Sequence, residues 1–203
     1  MKKLLLILSL LTLLSPLFSD DSLYRIQLSD DELKLEWDRF LILGSLQEIE
    51  YSEEEKVQLK EQVREGLIMR KLFLVLADLR GITVSEEELD LREAQTRGGY
   101  PDDEWIATLE AQLHTPESFR QTMKESILLE KVIQSEVLDK ISVSDEEIAA
   151  YYEAHPDDFT TDYGLLPLST VEELIRDGLL ARKGQEDTTR FMNELYSRAM
   201  FVE

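Results

Sequence analysis

Ile82-Thr83-Val84-Ser85-Glu86-Glu87-Glu88-Leu89 is matched further along the chain by Ile141-Ser142-Val143-Ser144-Asp145-Glu146-Glu147-Ile148. Each copy follows a long apolar-periodic segment and reads as a helix exit, a short extended stretch and the start of a new helix. Ser85 and Ser144 stand where an N-cap belongs, with Glu88 and Glu147 three residues on. A serine oxygen there accepts a free backbone N–H of the first turn, and the glutamate reaches back to the N-cap N–H. The β-branched residues before each serine favour the extended approach.

Three more capping boxes are expected at Ser29/Glu32, Ser52/Glu55 and Ser169/Glu172. The helix after Ser29 carries Leu33, Trp37, Phe40, Leu41 and Leu43, with Gly44 near its end. The helix after Ser52 runs to about Arg80, and Gly81 suits the C′ position. From Leu67 to Leu79 only Arg70, Lys71 and Asp78 interrupt an apolar run, so this helix is expected at the centre. A shorter helix follows Ser85 and stops before Gly98-Gly99. Pro101 suits the first position of the next, and Thr115-Pro116 opens a long one. In that long helix Phe119, Met123, Ile127, Val132, Ile133 and Val137 form a broad apolar face. His155-Pro156 ends the helix begun after Ser144, and Asp157–Leu168 reads as a loop. Two helices, Val171–Arg182 and Glu186–Ala199, are expected to part near Gly184. Met200-Phe201-Val202 reads as a terminal strand able to pair with Leu23–Ile26 and tie the two ends together. The class is therefore all-α, with at most this small strand pair.

The 203 residues fit one domain of ordinary size. Eight glycines and five prolines are too few for a turn-rich β fold. Lys2-Lys3, the apolar run Leu4–Leu14, Pro16 and Ser19 read as a secretory signal peptide over residues 1–19. The run is shorter than the ~20 residues that span a bilayer, so residues 20–203 are expected to be exported and soluble, as one helical domain. With no cysteine, disulfides, thiolate catalysis and lipid attachment at cysteine are excluded. The net charge is −21, and the chain from Asp20 is more acidic still by the charges of Lys2 and Lys3. Such a surface repels nucleic acid and anionic headgroups.

Several stretches together resemble the N-terminal domain of SurA-type periplasmic chaperones. They are Leu67-Ile68-Met69-Arg70-Lys71-Leu72, Gly81–Leu89 and Ser118–Lys131. Ala150–Phe159 looks like the segment that precedes a parvulin (PpiC-type) domain in that family and in PrsA-like foldases. Leu166-Pro167-Leu168, Ile175–Gly184 and Glu194–Ala199 resemble the C-terminal helices that return to complete the chaperone core. The resemblance runs from about Val63 onward. It implies a SurA/trigger-factor-like peptide-binding helical fold, with an N-terminal part over 20–159 and returning helices over 166–203. Two departures stand out. Tyr24-Arg25-Ile26-Gln27 replaces the family's Val-Asn-Gly start. Only Thr160–Leu165 separates the two flanks of the expected parvulin domain, which is too short to hold it.

His114 and His155 precede Thr115-Pro116 and Pro156, and both are expected at surface helix ends, without a nucleophile constellation around them. Acidic groups such as Glu53–Glu55, Glu86–Glu88 and Asp157-Asp158 lack the ligand alternation and glycine of a calcium loop. Most stand at helix starts, where negative charge meets the positive dipole end. No catalytic residue, metal ligand or cofactor motif is expected. The family resemblance implies a groove for unfolded segments, to which aromatic and methionine side chains bring area and adaptability. Its candidates are Tyr100, Trp105, Met123, Tyr152, Phe159, Tyr163, Met192 and Tyr196, with core packing as the competing role for each. The expected function is ATP-independent holding of unfolded exported proteins in a periplasm, outer-membrane β-barrel precursors among them. A prolyl isomerase, or a subunit dedicated to one envelope partner, is the alternative.

Overall fold

The computed structural model describes residues 24–202. The expected signal peptide, residues 1–19, and Leu23 of the expected first strand lie outside the described residues. The order is β1 (Tyr24–Gln27), α1 (Asp30–Leu46), α2 (Glu53–Arg80), α3 (Glu86–Arg97), α4 (Asp102–Ala111), α5 (Pro116–Glu136), α6 (Asp145–Ala154), a short hairpin of β2 (Thr160–Thr161) and β3 (Gly164–Leu165), α7 (Leu168–Ser197), and β4 (Ala199–Val202). The fold is all-α in its core, with two short two-stranded ribbons.

Local chemistry sets most of the boundaries. Complete capping boxes open α1, α2, α3 and α6 at Ser29, Ser52, Ser85 and Ser144. Thr115 caps α5 with Pro116 in its first turn. Gly81 closes α2 at φ 65°, a left-handed conformation that glycine enters without a Cβ penalty.

The eight-residue pattern occurs a third time, at Ile26-Gln27-Leu28-Ser29-Asp30-Asp31-Glu32-Leu33, and the three copies are held alike. In each, a lysine from a neighbouring helix donates to the carbonyl two residues before the serine and pairs with the capping-box glutamate. Lys71 binds the Gln27 carbonyl at 2.8 Å and Glu32 at 2.7 Å. Lys131 binds the Thr83 carbonyl at 2.8 Å and Glu88 at 2.7 Å. Lys183 binds the Ser142 carbonyl at 2.8 Å and Glu147 at 2.5 Å. The lysine thus satisfies a carbonyl of the extended approach and locks the glutamate that caps the next helix.

α2 is the central helix, as its apolar run predicts. Ile68, Leu72, Phe73, Leu76 and Ala77 are buried against Val132 and Val137, against Phe191 and Leu195 of α7, and against Ile26 of β1. β1 pairs in parallel with β4, Tyr24 opposite Ala199 through Gln27 opposite Val202. The expected strand pair therefore exists, and its two strands seat the first and last described segments on the same core. Two smaller clusters flank it. One packs Leu89 of α3 on Met123 and Ile127 of α5. The other packs Ile148 of α6 and Phe159 on Val171, Ile175 and Leu179 of α7.

Four expectations are corrected. α7 is one continuous helix, not two: Gly184 is buried, and a Cβ there would stand 3.2 Å from Leu138 Cδ2. The glycine permits a close approach within the helix and does not break it. Ser169 lies inside α7, whose N-cap is Pro167 without a side-chain cap. Pro101 is the N-cap of α4, one residue before its expected place. The expected loop 157–168 contains the β2–β3 hairpin, with Thr160 opposite Leu165 and Thr161 opposite Gly164.

Candidate client-binding surface

α1 holds more apolar side chains than it buries. Leu33, Leu35, Trp37, Phe40, Leu41, Ile42, Leu43 and Leu46 all lie on it, yet Gly44 is its only buried residue. Leu46 is 62% exposed, with Leu43 and, just beyond the helix, Ile49 also exposed. An aromatic stack braces this segment: Trp37 on Phe40 at 5.5 Å between centroids, and Phe40 on Tyr51 at 5.6 Å. Tyr51 crosses Gly44 so closely that a Cβ there would stand 2.7 Å from its ring.

A second aromatic row runs from α4 to α5. Tyr100 contacts Trp105 at 6.4 Å, Trp105 meets Phe119 edge-on at 5.3 Å, and Phe119 meets His114 edge-on at 5.6 Å. Ile106 and Leu113 are exposed beside this row in sequence. Arg39 joins it to α1. Its Nη2 donates to the Leu113 carbonyl at 2.9 Å and lies 3.1 Å from His114 Nδ1, while Nη1 donates to Glu36 at 2.6 Å. His114 is therefore half-buried at an interhelix contact, in place of the expected open surface. Burial and the Arg39 charge hold its imidazole below the ordinary 6.5; Glu36 opposes and Arg70 reinforces that shift. The neutral ring can accept from Arg39, which an imidazolium Nδ1 cannot.

The sequence-derived candidates divide between surface and core. Tyr100 is exposed and Trp105 half-buried, in mutual contact. Tyr163 is fully exposed at the hairpin tip. Tyr152 is half-buried, stacks on Phe159 at 5.5 Å, and donates to the Leu166 carbonyl at 2.5 Å. Met123 and Phe159 are buried in the flanking clusters, and Met192 and Tyr196 pack against the main core. Trp37, Phe40, Tyr51, Leu43, Leu46 and Phe119 were not among the candidates. The signal for most of them was an apolar surplus: α1 carries too many large residues for one face of a helix to bury.

Clefts open on the surface formed by the described residues. One of about 390 Å³ between α1, α2 and α5 has Leu35, Leu67 and Leu74 in its walls beside the charged Glu36, Arg39, Arg70, Lys71 and Glu125. One of about 500 Å³ lies along α3 to Tyr100. One of about 360 Å³ lies between α6 and α7, floored by Phe159 and Ile175. Among the described residues no helix is long and apolar enough to cross a membrane.

Residues 42–133 match the family model of the SurA-like N-terminal domain. The match runs from the end of α1 through most of α5. Among relatives, the foldase protein PrsA of Clostridium botulinum (strain Okra) is 32% identical over 123 residues, which cover 56% of this chain and 36% of the relative. The foldase protein PrsA of Clostridium acetobutylicum is 29% identical over 106 residues, covering 50% and 32%. The chaperone SurA of Chromohalobacter salexigens is 25% identical over 112 residues, covering 54% and 26%. The matched segment thus spans about a third or less of these curated relatives.

Proposed function

We propose that this protein is an ATP-independent holdase for unfolded proteins outside the cytoplasm. The observation that carries the reading is the apolar surplus of α1, exposed at Leu43 and Leu46 and continued by Ile49 just beyond it, on a chain whose residues 42–133 match the SurA-like N-terminal domain model. Large apolar side chains left in water cost free energy in proportion to their area, and contiguous exposed ones mark interaction surfaces. The surface would shield apolar client segments by weak, reversible contact, with no covalent step and no cofactor. The strong negative charge would keep chaperone and complex dispersed.

The reading includes export by a signal peptide over residues 1–19, a periplasmic location, a single helical domain over residues 20–203, and outer-membrane β-barrel precursors as clients. Tyr100, Trp105 and Tyr163 are its accessible aromatic contacts. The test is light scattering of a urea-unfolded β-barrel protein diluted into buffer with residues 20–203. Suppression at near-stoichiometric ratios supports the proposal; undiminished scattering beside a folded chaperone overturns it.

The likeness to proteins named foldase favours a second reading, acceleration of prolyl isomerisation. In this chain residues 155–167 link α6 to α7 through the β2–β3 hairpin. A tetrapeptide isomerisation assay separates the two readings, because shielding alone leaves that rate unchanged.

A further inference from the structure

The cleft between α6 and α7 has a feature the helical core does not require. Leu174, Gly178 and Arg182 stand at i, i+4 and i+8 along α7 and so lie in one line on its surface. All three border the cleft, together with Tyr151 and Phe159. Leu174 is 69% exposed although it is large and apolar. Gly178 sits mid-helix, where glycine is the least favoured residue after proline. A Cβ there would meet nothing within 4 Å, so packing does not demand the glycine. Its effect is to keep the middle of the cleft open.

Arg182 completes the line. Two other cations of α7 that face α6 are held by carboxylates: Arg176 by Asp145 and Glu172, and Lys183 by Glu147. Arg182 has no carboxylate within 4.0 Å among the described residues, although acids outnumber bases 43 to 22 in this chain. Its guanidinium lies 5.7 Å from the centre of the Tyr151 ring, which stacks on His155 at 4.0 Å. Asp158 also borders the cleft and can accept N–H groups. The site therefore offers an apolar floor, an open middle, a cation with no carboxylate partner among the described residues at one point and an N–H acceptor at another.

We propose that this cleft binds the carboxyl terminus of a peptide whose last residue is large and apolar. The α-carboxylate pairs with Arg182, and the last side chain lies over Gly178 against Leu174 and Phe159. A chain terminus is the source that fits, because it presents the charge and the apolar side chain from one Cα. That suits a cleft of about 360 Å³, at the small end of ligand pockets. The inference rests on the chaperone reading only for the origin of the peptide.

The experiment is fluorescence anisotropy with a labelled hexapeptide ending in phenylalanine, as free acid and as amide, against residues 20–203. The free acid should bind about three- to fivefold more tightly than the amide, the range of an exposed ion pair. Arg182→Gln should abolish that difference, and Gly178→Leu should remove most binding of both while circular dichroism stays unchanged. Gly178→Ala, a milder filling of the same space, should weaken binding part-way and keeps the test valid if the leucine variant misfolds. Equal binding of acid and amide to the wild type, or unaltered binding to the folded Gly178 variants, overturns the proposal. Where the peptide results overturn the cleft, suppression of light scattering by the same variants shows that the holdase reading still stands.

Discussion

The ammonium of Lys131 binds the carboxylate of Glu88 at 2.7 Å while donating to the Thr83 carbonyl at 2.8 Å. Lys71 and Lys183 do the same for Glu32 and Glu147. These contacts, with the N–H donated by each capping serine, hold all three glutamates below the ordinary 4.5. A carboxylate depressed in the folded state contributes stability that is full above its unfolded value and lost as pH falls through the folded one. The stability these three carboxylates contribute should thus be steady from neutrality to about pH 5 and fall below 4.5. The variant Lys71→Met/Lys131→Met/Lys183→Met should be less stable at pH 7 and approach the wild type near pH 3, as read by urea unfolding across that range. A constant gap at every pH would contradict this account.

His114 gives a second, separate pH dependence. Its imidazole is lowered from 6.5 in the folded state, so the unfolded chain binds the proton more readily. Stability is unpenalised above 6.5 and declines as pH falls below it toward the folded value, before the carboxylates titrate. Protonation at Nδ1 would set a second donor against Arg39 Nη2, at 3.1 Å, and loosen α1 from the α4–α5 turn. The decline should be absent in His114→Gln. Fluorescence of Trp37 and Trp105 during urea unfolding between pH 7 and pH 5 measures it.

Gly44 and Tyr51 should show opposite behaviour alone and together. Alanine is favoured over glycine in a helix interior by about 1 kcal/mol, but a Cβ at 44 would stand 2.7 Å from the Tyr51 ring. Gly44→Ala should therefore stabilise the protein by much less than that, or destabilise it, in the wild type. In a Tyr51→Ala background it should yield the full ~1 kcal/mol. Equal effects in both backgrounds would mean the ring does not rest on the glycine.

The sequence made the helix starts legible, because a serine and a glutamate three residues apart carry their own geometry. Four of the five expected Ser/Glu boxes form, at Ser29, Ser52, Ser85 and Ser144. Ser169 does not cap, since Pro167 already fixes the backbone and the helix begins at Leu168. Gly184 shows the limit on breaks: a glycine reads alike whether it ends a helix or admits Leu138 to its side. The candidate surface was less legible. Met123 and Phe159 are the residue types a binding groove would use, and they are also what small satellite clusters bury. Only tertiary packing decides between the two. The surplus on α1 was visible as composition, but its exposure depends on α2 and α5 covering so little of it.

If α1 is the contact surface, Leu43→Ser/Leu46→Ser/Ile49→Ser should cut aggregation suppression severalfold. These side chains are already exposed, so each change should alter stability by only about 0.5 kcal/mol. Leu79→Ser/Leu91→Ser, comparably exposed on α2 and α3, should leave suppression intact. A loss of equal size in both variants, measured by light scattering, would point to general surface hydrophobicity and away from α1.

The most direct measurement is fluorescence anisotropy of one labelled exported protein, presented folded and as a permanently unfolded variant, titrated with residues 20–203 without nucleotide. The account predicts saturable binding to the unfolded form and none to the folded form. Binding to the folded form with equal strength, or to neither, would contradict it.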